Sequence, residues 1–415
     1  MDFTAYYAAG KTMNANLNPY KNYILEDWDL WDGLATYKHS RFLYPPLVAV
    51  FFQPFAVMKY SDAKFLWNVI NLLLYLFIVL ILLFIFEFQK DLFKILLVFT
   101  LALNFFPFIA LLERGQIDLL TFLPVILGFL AYKKEKDFFA GLLWSVAIIF
   151  KLYTLLFIPF LLLIKKYRTL KGFLSGTVLL FLLMIIVNGK NLTWNYFFKE
   201  LPRISAYGNA GTDEMKIKNQ TLQEYFPMTP VSITVVDGKP YITESISFNS
   251  KASFIRILQV VQEKLKVNFP NSYYSFLIFI LLFLLVYLFY RKNKITDFYK
   301  FAIFWQTAFA VVLLTSPFTW VMNLVWLLPV IFIGIYTLPV LFRNKKYFLI
   351  ILLIAGYIML SVPDNLLLTK NSSLTEFFKS RFVISEIIIL ISLFFVFKNS
   401  NCIQSTEKIF TENKT

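Results

Sequence analysis

Leu66–Phe88 reads LWNVINLLLYLFIVLILLFIFEF, an apolar run long enough to cross a bilayer as a helix and carrying a charge only at Glu87. Similar runs fall at 92–112, 118–132, 138–164, 172–188, 273–290, 301–315, 318–342, 347–362 and 383–397. Residues 47–58, broken by Gln53-Pro54, are too short to span and re-enter or lie at the interface. The pattern predicts an all-α polytopic membrane protein, a bundle of about eleven transmembrane or re-entrant helices. A chain that is 59% hydrophobic, with its apolar residues gathered in such blocks, is not a soluble multidomain protein.

The formal net charge of +15 would point to nucleic acid in a soluble protein. Here most Lys and Arg lie in short loops between apolar runs, where they orient the chain among membrane lipids, so no nucleic-acid partner is expected. The clusters Lys133-Lys134-Lys136, Lys165-Lys166-Arg168-Lys171, Arg291-Lys292-Lys294 and Arg343-Lys345-Lys346 are assigned to the cytoplasm. Run 138–164 starts and ends at such clusters, so it must go in and return as two short helices with Lys151 near the tip. Asp2 to Pro46, Glu113 to Asp118, and the loops 189–272 and 363–381 then face outward, in the cell (plasma) membrane.

Five regions follow: an outer loop with amphipathic helices at 1–65, N-terminal membrane helices at 66–188, an outer cap loop at 189–272, C-terminal membrane helices at 273–397, and a disordered cytoplasmic tail at 398–415. Within the cap, Pro230 to Ser245 alternates like a β-hairpin around Asp237-Gly238, and Pro240 makes the return strand an edge. Cys402 stands alone in the tail, and His39 is the single histidine, without partners for a zinc site. No cofactor is certain, and a divalent metal is left open.

The candidate chemistry lies on the outer face. Asp2 opens a short helix with Phe3, Tyr6, Tyr7 and Gly10 at helical spacing, Asn18-Pro19-Tyr20 ends it, and Tyr44-Pro45-Pro46-Leu47 leads into the first apolar run. The plain alternative is an aromatic interfacial loop. Lys151, flanked by Phe150 and Leu152, is either a snorkelling or structurally paired lysine, or a cation placed to meet a lipid phosphate. Glu113-Arg114-Gly115-Gln116-Ile117-Asp118 packs three charges and an amide into one turn, where Gly115 can bring Arg114 and Gln116 close to a ligand. Asn219-Gln220-Thr221-Leu222 and Ser316-Pro317-Phe318-Thr319-Trp320 complete the set; singly, they also read as a solvated loop and a proline break. A carboxylate beside cations suits proton removal from a sugar hydroxyl with a phosphate as leaving group, and aromatic faces suit sugar rings and prenyl chains.

These motifs, over most of the chain, resemble glycosyltransferase family 87, the polyprenyl-phosphate-sugar dependent enzymes of the GT-C class of membrane glycosyltransferases. Gly141 followed by Lys151, and Ser316-Pro317 with Trp320, belong to the same pattern. The resemblance implies a GT-C-like helical bundle, a sugar donor carried on a polyprenyl phosphate, mannose by analogy, and a lipid-linked or glycan acceptor. It implies Asp2 as general base, Arg114 and Lys151 at the donor phosphate, and Tyr6, Tyr7, Tyr44, Gln116, Asn219, Gln220, Trp320 and Asn323 at substrate. A single base implies inversion. The sequence departs from the pattern in two places. Similar enzymes often carry a histidine shortly after the Ser-Pro-x-x-Trp motif, where this chain has Val321-Met322-Asn323. They also have a membrane helix before the catalytic loop, so an in-frame apolar stretch of about 20 residues is expected upstream of Met1.

Three other readings stand beside this one. A lipid or oligosaccharide transporter or flippase should carry internal repeats and matching broken helices, which are not found here. An O-antigen polymerase-like or ligase-like enzyme would lean on loop arginines, of which Arg203 and Arg256 are thin examples. An inactive GT-C relative is the third. For the topology, cysteines placed at Ser205 and Ser245 are expected to react with an impermeant thiol reagent from outside, while one at Asn293, like native Cys402, stays protected; the reverse labelling pattern inverts the assignment.

Overall fold

The computed structural model describes residues 2–21, 23, 38–39, 41–202, 204, 231–236, 239–245, 252–265, 271–293, 295–363 and 380–412. Helix α1 (Asp2–Asn14) has its acid in the first turn and Lys11 in the last, both favourable to the helix dipole. It ends where Asn16 turns left-handed (φ 56°), and Asn18 closes the next turn by accepting the Tyr20 N–H at 3.0 Å. The expected amphipathic character is not what the structure gives: Phe3 to Gly10 are buried on every side. Helix α2 (Pro46–Phe52), begun by a proline that needs no N–H partner there, lies across it. Phe3 packs among Phe52, Tyr60 and Trp67, so α1 is a plug in the protein rather than a float on its surface.

Helix α3 (Tyr60–Ile85) is the first long apolar span, beginning six residues before the expected boundary. Helices α4 (Leu92–Leu103) and α5 (Phe106–Arg114) share one apolar run but meet at a bend of 48°, where Pro107 in the first turn of α5 prevents a continuous helix. Asp91 caps α4 by accepting the Lys94 N–H at 3.1 Å. Helix α6 (Asp118–Lys133) descends to the first basic cluster, and α7 (Asp137–Phe150) returns from it. The run then breaks at Lys151, continues as a 3-10 turn (Leu152–Leu156) and goes back as α8 (Phe157–Leu163). The expected tip is therefore the observed one.

Helix α9 (Tyr167–Asn195) passes the predicted end of its run at 188: it kinks at Gly189 (φ 76°, ψ 156°) and closes in a π-helical turn, Tyr196–Glu200. The cap region thus begins as helix, because Tyr196 and Glu200 find buried partners in the first loop. Strands β1 (Lys38–His39), β2 (Val231–Val236) and β3 (Lys239–Ser245) form an antiparallel sheet in that order, with Pro240 on the edge strand. Backbone pairing of β1 with β2 joins the first loop to the cap.

After α10 (Ile255–Leu265) come α11 (Asn271–Lys292), α12 (Phe298–Thr315), a 3-10 stretch (Val321–Leu327), α13 (Leu328–Arg343), α14 (Tyr347–Ser361) and α15 (Arg381–Glu412). The last helix corrects the expectation of a disordered tail: it runs unbroken from the apolar segment through Cys402 to Glu412. Every residue from Lys300 to Thr315 of α12 is buried, which makes it the central helix, whereas α9 and α11 turn Leu, Ile and Phe side chains outward as lipid-facing helices do. Among the described residues six helices are long and apolar enough to cross a membrane, or seven with the bent α4–α5 pair counted as one span. The remaining runs form shorter apolar helices.

Small residues let α7 and α9 cross in backbone contact: a Cβ on Gly141 would run into the Thr169 carbonyl and lie 2.7 Å from the Phe173 nitrogen. Gly141→Ala is therefore expected to cost about 1–3 kcal/mol through overpacking. Its melting temperature in detergent, compared with that of an alanine variant at Gly334, where nothing lies within 4 Å, measures the effect.

Candidate functional site

The turn after α5 organises the site. Gly115 takes the left-handed conformation (φ 68°, ψ 43°) that caps a helix, and its N–H returns to Leu111 O at 2.9 Å. Its own carbonyl accepts the Trp67 indole N–H at 2.9 Å, which ties the turn to α3. Phe3 fills the other side: a Cβ on Gly115 would stand 2.8 Å from Phe3 Cβ. The same glycine therefore lets the chain turn and lets α1 approach, so that Asp2 arrives beside Arg114.

Two ion pairs result. Asp2 Oδ2 lies 3.6 Å from Arg114 Nη1, with the carboxylate 16% and the guanidinium 7% exposed. At that length the contact is Coulombic rather than a hydrogen bond, and no donor among the described residues reaches Asp2 Oδ2. Arg114 also stands 5.8 Å above the Trp320 ring and 4.0 Å from Met322 Sδ. The second pair joins Lys151 Nζ to Asp118 Oδ2 at 3.4 Å, and here the carboxylate is sealed from solvent.

Hydrogen bonds run outward from this second pair. Asp118 Oδ1 accepts the Asn323 amide N–H at 2.8 Å, and Asn323 Oδ1 accepts the Trp320 backbone N–H at 2.7 Å. On the other side Lys151 donates to the Tyr44 hydroxyl at 3.4 Å and lies 5.4 Å above its ring. The Tyr44 and Tyr6 hydroxyls are 2.9 Å apart, and Tyr6 donates to Gln116 Oε1 at 2.7 Å. Burial first, then Tyr44 and the Asp2 carboxylate, push the Tyr6 phenol well above its usual range, so it stays a neutral donor. The loop side is closed by a buried ion pair, Arg41 Nη2 to Glu200 Oε2 at 2.6 Å, and by Tyr20 stacked on Tyr196.

The structure thus brings together Asp2, Arg114, Lys151, Tyr6, Tyr44, Gln116, Trp320 and Asn323 from five separate stretches of chain. Tyr7 is not among them: its hydroxyl donates to Met58 O at 2.6 Å and its ring packs on Tyr60. Asn219 and Gln220 lie outside the described residues. Lys151 is a paired lysine at the break between α7 and the 3-10 turn. Sequence reasoning assigned no role to Asp118, Trp67 or the Arg41–Glu200 pair. Asp118 carried a signal, a carboxylate opening an apolar helix, but it reads equally as a dipole-favouring first-turn acid. Glu200 carried none.

Fold and site define a polytopic membrane protein with a polar, charge-paired site where several helix ends and the first loop meet. Residues 42–236 match the model of glycosyltransferase family 87, a family of GT-C type membrane glycosyltransferases. No curated protein matches the chain. The matched range holds Tyr44, Arg114, Gln116, Asp118 and Lys151, while Asp2, Tyr6, Trp320 and Asn323 are joined to it by the contacts above.

An alanine at Gly115 must adopt the left-handed conformation, at about 1–2 kcal/mol, and displace Phe3. Gly115→Ala is expected to lower the melting temperature and to speed hydrogen exchange selectively in residues 2–14; uniform exchange rates across the chain would count against the described role of this turn.

Proposed function

We propose that the protein transfers a sugar, a hexose of the mannose type, from a polyprenyl phosphate to a lipid-linked or cell-envelope acceptor, with inversion. Asp2 is the base. Its Oδ2 takes the proton of the acceptor hydroxyl as that oxygen attacks the sugar C1, and the C1–O bond to phosphate breaks with its electron pair leaving on the phosphate. Arg114 and Lys151 meet the charge that develops there. Tyr44, Gln116 and the Trp320 ring border the sugar, and apolar helices around the site suit the prenyl chain.

The observation that carries this reading is the state of Asp2 Oδ2, which has a cation 3.6 Å away but no hydrogen-bond donor among the described residues. A carboxylate that is 16% exposed, with an oxygen that no donor among the described residues engages, beside a phosphate-binding group suits a general base in this reaction. The site belongs on the outer face of the plasma membrane with the C-terminus in the cytoplasm. In support, α6 runs from Asp118 to Lys133 and α7 back from Asp137 to Phe150, so the basic clusters lie at the helix ends opposite the site.

The test is turnover of radiolabelled polyprenyl-phosphate mannose by the purified protein in the presence of membrane lipid and glycan acceptors. Asp2→Asn keeps the size of the side chain but cannot take the proton, so transfer is expected to fall by about 10²–10⁴-fold with donor binding retained. Turnover near that of the unaltered protein removes Asp2 from the chemistry.

A further inference from the structure

We propose that Asp118 is a positioning residue that acts through Lys151 and Asn323, fixing the donor-side cation and the loop that carries Trp320 with one carboxylate. The inference rests on the functional reading above for its consequence, though not for its geometry. Asp118 is fully buried, so it does not touch substrate itself. Its two oxygens are divided between two elements: Oδ1 holds Asn323 at 2.8 Å and Oδ2 faces Lys151 Nζ at 3.4 Å.

Chemistry fixes the sense of each contact. Asn323 accepts the Trp320 N–H through its oxygen, so only its amide nitrogen can face Asp118, and that nitrogen must donate. An ammonium has three donors. Lys151 directs one toward Asp118 and one toward Tyr44, which leaves one without an acceptor among the described residues. With its side chain 11% exposed, Lys151 is held as a charged group whose remaining proton has little freedom of direction. Removing the carboxylate leaves a buried cation unpaired and frees both Lys151 and the loop at Asn323.

The two acids of the site therefore differ in kind. The Asp2 side chain is 16% exposed, so a ligand can reach its carboxylate, while that of Asp118 is sealed. The expected signatures differ in the same way: loss at Asp2 lowers kcat, and loss at Asp118 raises the KM for donor.

The test uses the full chain in detergent and compares Asp118→Asn, Lys151→Met and the double variant. Asparagine can still accept from Asn323 but must turn an N–H toward the ammonium. With polyprenyl-phosphate mannose as probe, Asp118→Asn is expected to raise KM by about tenfold or more with a smaller change in kcat. Lys151→Met, which also removes the charge at the leaving phosphate, should raise KM and lower kcat, and the double variant should do no more than Lys151→Met alone. A second readout needs no donor: acetylation of Lys151 by acetic anhydride, followed by mass spectrometry, should be several-fold faster in Asp118→Asn, whose amine has lost its counter-charge. Unchanged KM together with unchanged Lys151 labelling overturns the inference. If the unaltered protein uses no polyprenyl-phosphate sugar, the donor reading fails, while labelling rates still decide whether Asp118 governs Lys151. Should Asp118→Asn not fold, the double variant, free of both charges, is expected to regain a melting temperature close to that of the unaltered protein; a double variant as unstable as the single one overturns the pairing.

Discussion

A buried group at the end of a membrane helix stays charged only with a counter-charge beside it, because no water is there to replace it. In this protein the requirement is met twice within one site, by Asp2 with Arg114 and by Asp118 with Lys151. Each pair joins elements distant in sequence. The first holds α1 against the end of α5, and the second holds the break after α7 against the start of α6. Without the pairing, two cations and two carboxylates would stand in the protein without their counter-charges.

Close packing places the charges before electrostatics joins them. Gly115 turns the chain, Trp67 fastens the turn to α3, and Phe3 occupies the space a side chain would have filled. The same economy of side chains recurs where α7 meets α9 at Gly141 and Gly172. Position in the site is thus set by contacts a few ångströms from the charges, in which no polar group of the reaction takes part.

Residues 42–236 are similar to glycosyltransferase family 87, and the geometry distinguishes the charged groups gathered there. One carboxylate is open and the other sealed; one cation borders an indole and the other a phenol. Asn323 links Asp118 to the Trp320 backbone. Both ends of its amide are engaged within the protein, so this residue organises its neighbours rather than reaching outward.

The sequence by itself determined the class of fold, the break at Lys151 and the grouping of Asp2, Arg114, Gln116 and Tyr44. Those depend on local properties: run length against bilayer thickness, loop charge, and the geometry of glycine and proline. Only the tertiary structure decided that α1 is buried on all sides, that Tyr7 turns away to Met58, and that α9 continues past Gly189 to bring Glu200 to Arg41. It also decided that the final helix runs through the polar tail, and that Asp118 is the partner of both Lys151 and Asn323. In each of these the outcome depends on which side chain from a distant segment arrives to satisfy a buried group, and periodicity along one segment carries no record of that arrival.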